Sequence, residues 1–399
     1  MDISLTRLTD RHQLGQLWQA LQSRADHTFF TSWAWMGNWL DQLPAHMEVH
    51  LLRADLGGHN VGLGLLVKGQ TKVLRFLPVS CWRLHNTGDL QIDDLVIEYN
   101  DFLVDRAYAG RVRRAMLAHL FQAKHVQRLE IARAHPAMRD ALEDLPAPVT
   151  AQQLHMACHI VDLEAVRAAD AGGYLSLLSS NTRSQIRRSL NAYAKLGPLQ
   201  LDVAADVDQG LAFFDALKGL HTQTWLDRGE DSTFASCSMA DNFHRQLIRA
   251  QLPSGQVQLL RVRAGEATLG YLYNFVYGTQ VLYYQSGFHY GLLDKHDKPG
   301  MACHTLAAQH YADQGLREYN LTAGSYRYKA SLATHSEMLT TCSIYRQFSL
   351  SNLEQLLRQL RNKIQSGQAA LQKRLASRTM ALMAVSEVFI VAEDLLQWM

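Results

Sequence analysis

No two cysteines in this chain are spaced as a metal-binding or redox pair. Cys81, Cys158, Cys237, Cys303 and Cys342 are scattered and odd in number. They read as small buried apolar side chains in a reducing compartment. No run of about twenty uncharged apolar residues occurs, so no membrane-spanning helix is predicted. The opening residues, MDISLTRLTDRHQ, are polar and charged and carry no secretory pattern, so a cytoplasmic location is expected. Excess charge is missing too. Thirty-nine basic residues against thirty-seven acidic ones leave a net charge of +2, which argues against DNA or tRNA as the partner. Eighteen histidines are dispersed without ligand spacing, and no Ser-His-Asp set stands out, so no metal is expected. What remains is a globular composition, 47% hydrophobic and 19% charged, long enough for two or three domains.

Local patterning predicts a repeated order of elements. Residues 10–24 and 32–43 fit helices, the second carrying Trp35 and Trp39 on one face. Strand-like runs at 47–54, 61–69 and 72–78 follow, then a helix over 107–123 and a strand over 126–133. The second half offers a helical region over 174–195, a strand over 200–204, and helices over 207–226 and 239–251. It continues with a meander over 257–288, a helix over 300–314 and two more strands. The expectation is an α/β (α+β) chain of two similar units, each a mixed central sheet flanked by helices. The predicted domains are 1–157 and 158–348, followed by a helical tail over 349–399. The tail carries Leu353, Leu356, Leu357, Leu360, Ile364, Leu371 and Leu375 at helical spacing, with Arg358, Arg361, Lys363, Lys373 and Arg374 beside them. It is read as packing against the body or a protein partner, or as lying on a membrane surface.

Residues 281–332 are the most informative stretch. They read as a strand, a loop with Pro299 and Gly300, a helix, a strand, and a turn ending in Tyr328 and Lys329. A loop opening into a helix N-terminus offers unpaired N–H groups and the positive end of the helix dipole, where a phosphate group is held well.

Four segments taken in order resemble the CelD-like branch of the GNAT acetyltransferase superfamily, relatives of Fem-type peptidyltransferases. They are LSSNTRSQIRRSLNAYAKLG (178–197), LHTQTWLDRGEDSTFASCSMADNFHRQLI (220–248), YYQSGFHYGLLDKHDKPGMACHTL (283–306) and YNLTAGSYRYKASL (319–332). TSWAWMGNWLDQL (31–43) is similar to the N-terminal element of that group. The resemblance implies tandem GNAT-like domains, with acyl transfer centred on the second. It implies an acyl-CoA co-substrate, acetyl-CoA being the expected one, and no metal. Two departures are visible. KPGMA stands where the family carries closely spaced glycines, and Asn320 stands where relatives often have an acidic residue.

Acyl transfer from a thioester needs a base for the nucleophile, a donor for the developing oxyanion and a proton for the leaving thiolate. Lys329 is the candidate oxyanion or anion contact, and Tyr328 the candidate acid. His289, after the strand, or His244, on a helix, is the candidate base. Pro299, Gly300, Met301, Ser286 and Asn320 are the expected donor-binding set. Trp225, Arg228, Tyr284 and Gln285 are expected at the acceptor, with the alternation of a strand allowing only one of Tyr284 and Gln285 to face the site. Arg183 and Arg187, four apart on a helix, form a basic strip suited to phosphate. The expected acceptor is an amine or hydroxyl of a small molecule or of a cell-envelope polysaccharide precursor. Two other readings stand beside this one: a Fem-like transferase using aminoacyl-tRNA, and a non-catalytic scaffold of a polysaccharide-synthesis complex.

Overall fold

The computed structural model describes residues 1–363 except 75, 123–125, 144, 146–148, 170–171, 230–236, 325, 348 and 362. The first unit runs β1 (Asp2–Arg7), α1 (Arg11–Gln22), α2 (Trp33–Gln42), β2 (Val49–Leu56), β3 (His59–Val73), β4 (Leu77–Leu84), β5 (Leu103–Val104), α3 (Ala109–Gln122), β6 (Arg128–Ala134), α4 (Pro136–Glu143) and β7 (Val149–Asp162). Three helices follow: α5 (Leu163–Ala168), α6 (Gly173–Ser176) and α7 (Ser180–Tyr193). The second unit then repeats the order with β8 (Leu199–Val203), α8 (Val207–Leu226), α9 (Ser238–Gln251), β9 (Val257–Ala264), β10 (Ala267–Tyr277), β11 (Gln280–Phe288), α10 (Pro299–Asp313), β12 (Glu318–Ala323), α11 (Arg327–Leu332) and β13 (His335–Arg346). Apart from the two-residue β5, the elements correspond one to one.

The helix boundaries have local causes. Asp10, Ser32, Ser179 and Asp206 each accept a backbone N–H of the first turn that follows, supplying a bond the helix cannot make for itself. In α10, Pro299 occupies the first turn, and no side chain caps it.

All the strands join one sheet, ordered β1-β2-β3-β4-β6-β13-β7-β12-β11-β10-β9-β8, with β5 beside β3. Within each unit the strands pair antiparallel except at one parallel junction, β4 with β6 and β11 with β12. The two last strands are exchanged. β7 of the first unit lies between β12 and β13, and β13 of the second lies between β6 and β7. The sheet therefore has no seam between the units, and β7 runs straight through the boundary predicted at 157/158. Three apolar clusters cover it. One, under α1, α2, α8 and α9, is dominated by aromatics such as Trp18, Phe29, Phe30, Trp35, Phe243 and Phe275, which meet mostly edge-on. It joins both units, while the other two lie mainly in the second and the first unit respectively, each taking in the exchanged strand of the other through Val161 of β7 or Cys342 and Ile344 of β13.

Two sequence expectations change. The turn expected at Tyr328–Lys329 is the short helix α11. The tail is helical over 350–361, and its expected apolar positions Ile364, Leu371 and Leu375 and basic positions Lys373 and Arg374 lie outside the described residues. No helix among the described residues is long and apolar enough to cross a membrane.

Candidate active site

Two parallel strands that separate leave unpaired backbone groups and a wedge between them. The structure has two such wedges. In the first unit, β4 and β6 pair only over Cys81–Arg83 and Arg128–Glu130. Beyond that point the chain itself fills the gap. Asn100 Nδ2 donates to Leu84 O at 2.9 Å, Asn100 N to Arg133 O at 3.1 Å, and His135 N to Asn100 O at 3.0 Å. His85 closes the same gap, contacting Asn100 Oδ1 at 2.9 Å and accepting from Leu65 N at 3.1 Å. Its pKa is pulled down to about 4 by burial, so it stays neutral. This wedge is shut.

In the second unit, β11 and β12 pair only over Gln280–Leu282 and Glu318–Asn320. Beyond them lies a cavity of about 380 Å³, lined on one side by Tyr283–Ser286 and Phe288 and on the other by Thr322, Ala323 and Lys329. Helix α8 brings His221, Thr224 and Trp225 over it, followed by Arg228, whose guanidinium lies 5.9 Å from the Trp225 ring. The first unit supplies Phe30, Asp94, Val96, Glu98 and Arg133. The site is thus shared between the units.

The sequence expectation for β11 fails at one place. Tyr284 and Gln285 both line the cavity, together with Tyr283 and Ser286. The reason is a bulge. Gln285 faces Tyr273 and Tyr283 faces Asn274, leaving Tyr284 as an extra residue without its own partner. An inserted residue interrupts the alternation and turns neighbouring side chains to one side.

Lys329 is only 6% exposed. Its Nζ donates to Thr322 Oγ1 at 3.2 Å and Ala323 O at 3.0 Å, and sits 5.6 Å from the Tyr283 ring centre. Burial lowers its pKa to about 8, with Arg133 adding to the fall and Glu98 and Cys158 opposing it. Glu98 is buried likewise, and that burial raises its carboxyl. Arg133, the Ala323 N–H and Lys329 pull it back. It accepts from Ala323 N at 2.9 Å and Arg133 Nη1 at 3.3 Å. Tyr328 keeps its proton well above the ordinary phenol range because it is buried among other tyrosines. Behind it His304, stacked on the Tyr328 ring at 5.7 Å, contacts Tyr319 Oη at 2.8 Å. Burial brings His304 down to about 3, so it too is neutral.

Seven of the sequence candidates meet in this cavity: Lys329, Tyr328, Ser286, Trp225, Arg228, Tyr284 and Gln285. The Ser286 hydroxyl is bonded to Tyr283 Oη at 2.7 Å. The others lie elsewhere. His289 is exposed past the end of β11. His244 is fully buried among Phe214, Phe243 and Tyr273, and burial lowers it to about 3. Neither histidine lines the cavity. Pro299, Gly300 and Met301 form the start of α10, where Gly300 lies so close to the Phe288 ring that a Cβ would stand 3.0 Å from it. The helix start and the cavity therefore share Phe288 as a common wall. Asn320 lies behind the wall, 2% exposed. Arg183 and Arg187 lie on α7, outside the cavity lining. Glu98 and Arg133 are the functional candidates that sequence reasoning missed, since single charges in apolar runs carry no spacing signal.

Comparison with known proteins adds the following. Residues 180–330 match the family model described as an acetyltransferase (GNAT) domain. The crystal structure of FemX is 10% identical with a TM-score of 0.53, covering 89% of this chain and 99% of that one. The C-terminal domain of a putative lysylphosphatidylglycerol synthetase from Agrobacterium fabrum is 12% identical with a TM-score of 0.50, covering 88% and 95%. A tandem GNAT protein from the clavulanic acid biosynthesis pathway is 14% identical with a TM-score of 0.41, covering 86% and 98%. Comparison with curated protein sequences gives no significant match.

Proposed function

We propose that this chain, a tandem protein of the GNAT superfamily related to Fem-type transferases, is an acyltransferase whose reacting carbonyl sits in the open wedge between β11 and β12. The proposed donor is an acyl-CoA, acetyl-CoA in the first instance, which places the reaction in the cytoplasm. The acceptor is an amine or hydroxyl of a small molecule or a cell-envelope polysaccharide precursor. One observation carries the reading. Of two equivalent wedges, the first is closed by Asn100 and His85, while the second is open and walled by a buried lysine and a buried carboxylate.

The chemistry follows from these side chains. Glu98, raised by burial, is the base that takes the proton from the attacking amine or hydroxyl. The carbonyl oxygen gains charge as the nucleophile adds, and the Lys329 ammonium donates to it in a site shielded from water. Collapse breaks the carbon–sulfur bond, and the departing thiolate takes a proton from Tyr328, whose raised proton affinity draws back the proton that Glu98 removed from the nucleophile. Trp225 and Arg228 hold the acceptor. The start of α10 at Pro299, Gly300 and Met301 receives the donor's phosphates, with Arg183 and Arg187 as the neighbouring basic strip.

The test is thiol release from acetyl-CoA in the presence of a panel of amines and amino sugars. Replacing Lys329 by Ala is expected to lower turnover by about 10²–10³-fold while the circular dichroism spectrum is kept. Unchanged turnover would remove Lys329 from the reaction. Transfer from aminoacyl-tRNA without thiol release from acetyl-CoA would replace the donor. No reaction and no heat of binding with either donor would leave the scaffold reading.

A further inference from the structure

β12 is kinked within its pairing with β7. Asn320 faces Ile160, yet the next pair is Ala323 with Cys158, so Leu321 and Thr322 together oppose a single residue. Thr322 has φ +62°, a left-handed conformation that a β-branched residue adopts at a cost of about 1–3 kcal/mol. Something must hold it there. The Thr322 N–H donates to Asn320 Oδ1 at 2.8 Å, a side-chain turn that stands in for a backbone one. The same Oδ1 accepts from Cys158 Sγ at 3.1 Å. Asn320 Nδ2 donates to Tyr99 Oη, and Tyr99 Oη in turn to Glu337 on β13. Tyr99 is itself left-handed, at φ +54°, and follows Glu98 directly in the chain.

The kinked residues carry the site. Thr322 Oγ1 and Ala323 O receive the Lys329 ammonium, and Ala323 N–H holds Glu98. We infer that Asn320 is a positioning residue: by pinning Thr322 in its left-handed turn on one side and Tyr99 on the other, it sets the lysine of the second unit against the carboxylate of the first. The inference rests on the reading of Lys329 and Glu98 as the reacting groups. Asn320 touches neither of them and acts through the peptide between Thr322 and Ala323.

The consequence is measurable at Lys329. Glu98 and Arg133 face it from the first unit, and Cys158 and His159 from β7. His304 on α10, Tyr283 on β11 and Tyr328 on its own helix complete its surroundings. Loosening the kink admits water to this enclosure and returns the amine toward its ordinary range.

The experiment uses the full chain, brief acetic anhydride labelling from pH 6 to 11, and mass spectrometry of each lysine. In the unaltered protein Lys329 is expected to reach half-labelling near pH 8, while surface lysines do so near about 10.4. Asn320→Ala is expected to raise the Lys329 half-labelling pH by about one unit, a fall of about fivefold in labelling at pH 8. Thr322→Gly supplies a residue that takes the left-handed turn unaided. In that background the effect of Asn320→Ala is expected to shrink to a third or less. A merely structural asparagine would give the same shift in both backgrounds, or none, and either result overturns the inference. If Asn320→Ala does not fold, the double variant decides, judged against Thr322→Gly alone because that change also removes the Oγ1 contact to Lys329: folding with the half-labelling pH of the single variant supports it, and failure to fold or a half-labelling pH raised above that of the single variant overturns it. A Lys329 that titrates like a surface lysine in the unaltered protein also overturns it. No donor or acceptor enters the measurement, so loss of the acyltransferase reading and loss of this one show up separately.

Discussion

Holding an ammonium at 6% exposure, beside a tyrosine ring, works against the folded state unless its neighbours compensate. For Lys329 the compensation is partial, because its pKa is still lowered to about 8, with burial the largest cause. The sign follows directly. The folded protein holds this proton less tightly than the unfolded chain does, so the stability from this group is fully present above the unfolded value and is lost as pH falls through about 8. Lys329→Met, which keeps the stem and removes the charge, is therefore expected to remove a pH dependence of about 2 kcal/mol between pH 9.5 and 7. Urea unfolding midpoints of both proteins at the two pH values measure it. A parallel pH dependence in the variant would show that Lys329 is better solvated than its surroundings suggest. A stability-costly lysine in the wall of a cavity is the residue-scale argument for chemistry there.

At the scale of elements, β11 and α8 do most to shape the cavity. The bulge at Tyr284 turns Tyr283, Tyr284, Gln285 and Ser286 toward one space. Gly287 then lets α8 lie directly on the strand: a Cβ there would stand 2.2 Å from Leu217 O, a backbone atom that cannot swing away. Gly287→Ala should push α8 outward, costing about 1–3 kcal/mol of stability. It should also weaken acceptor binding more than it slows turnover, because α8 carries Trp225 and is followed by Arg228. Thermal unfolding and the split of KM against kcat test this. An unchanged melting temperature would contradict the close approach.

Much at this scale was legible in the sequence. Helix α8 covers the predicted 207–226, and α10 begins at Pro299, one residue ahead of the helix expected from 300, with the proline in its first turn. The strand order of the meanders follows from their short turns at Gly265 and Gly278, both left-handed. The bulge was not legible, because an inserted residue leaves no mark in a run such as VLYYQSGF, where each face already mixes apolar, aromatic and polar residues. Nor was the closing of the first wedge by Asn100, which depends on a loop folding back onto two strands distant in sequence. Glu98 was missed for the same reason, as its partners Arg133, Ala323 and Lys329 are all long-range. Tyr328 and Lys329 stood out at the end of the 281–332 stretch, and the resemblance weighted their expected roles.

At the scale of the whole molecule, the exchanged strands β7 and β13 make one sheet out of two units. Neither unit closes its own edge, and the aromatic cluster joining α2, β10 and α9 ties them on the helical side as well. The arrangement brings the first unit's Glu98 and Arg133 and the second unit's Lys329 together across one continuous sheet. Duplication thus has a division of labour. One wedge is filled and lends its loop as a wall, while the other stays open. The central claim is that an acyl donor's carbonyl enters the open wedge and meets groups from both units. Its most direct measurement is a crystal structure with a non-hydrolysable thioether analogue of acetyl-CoA. The account expects the acyl carbonyl between β11 and β12, within hydrogen-bonding distance of Lys329 and facing Glu98. Binding elsewhere on the molecule, or an empty wedge at saturating analogue, would contradict it.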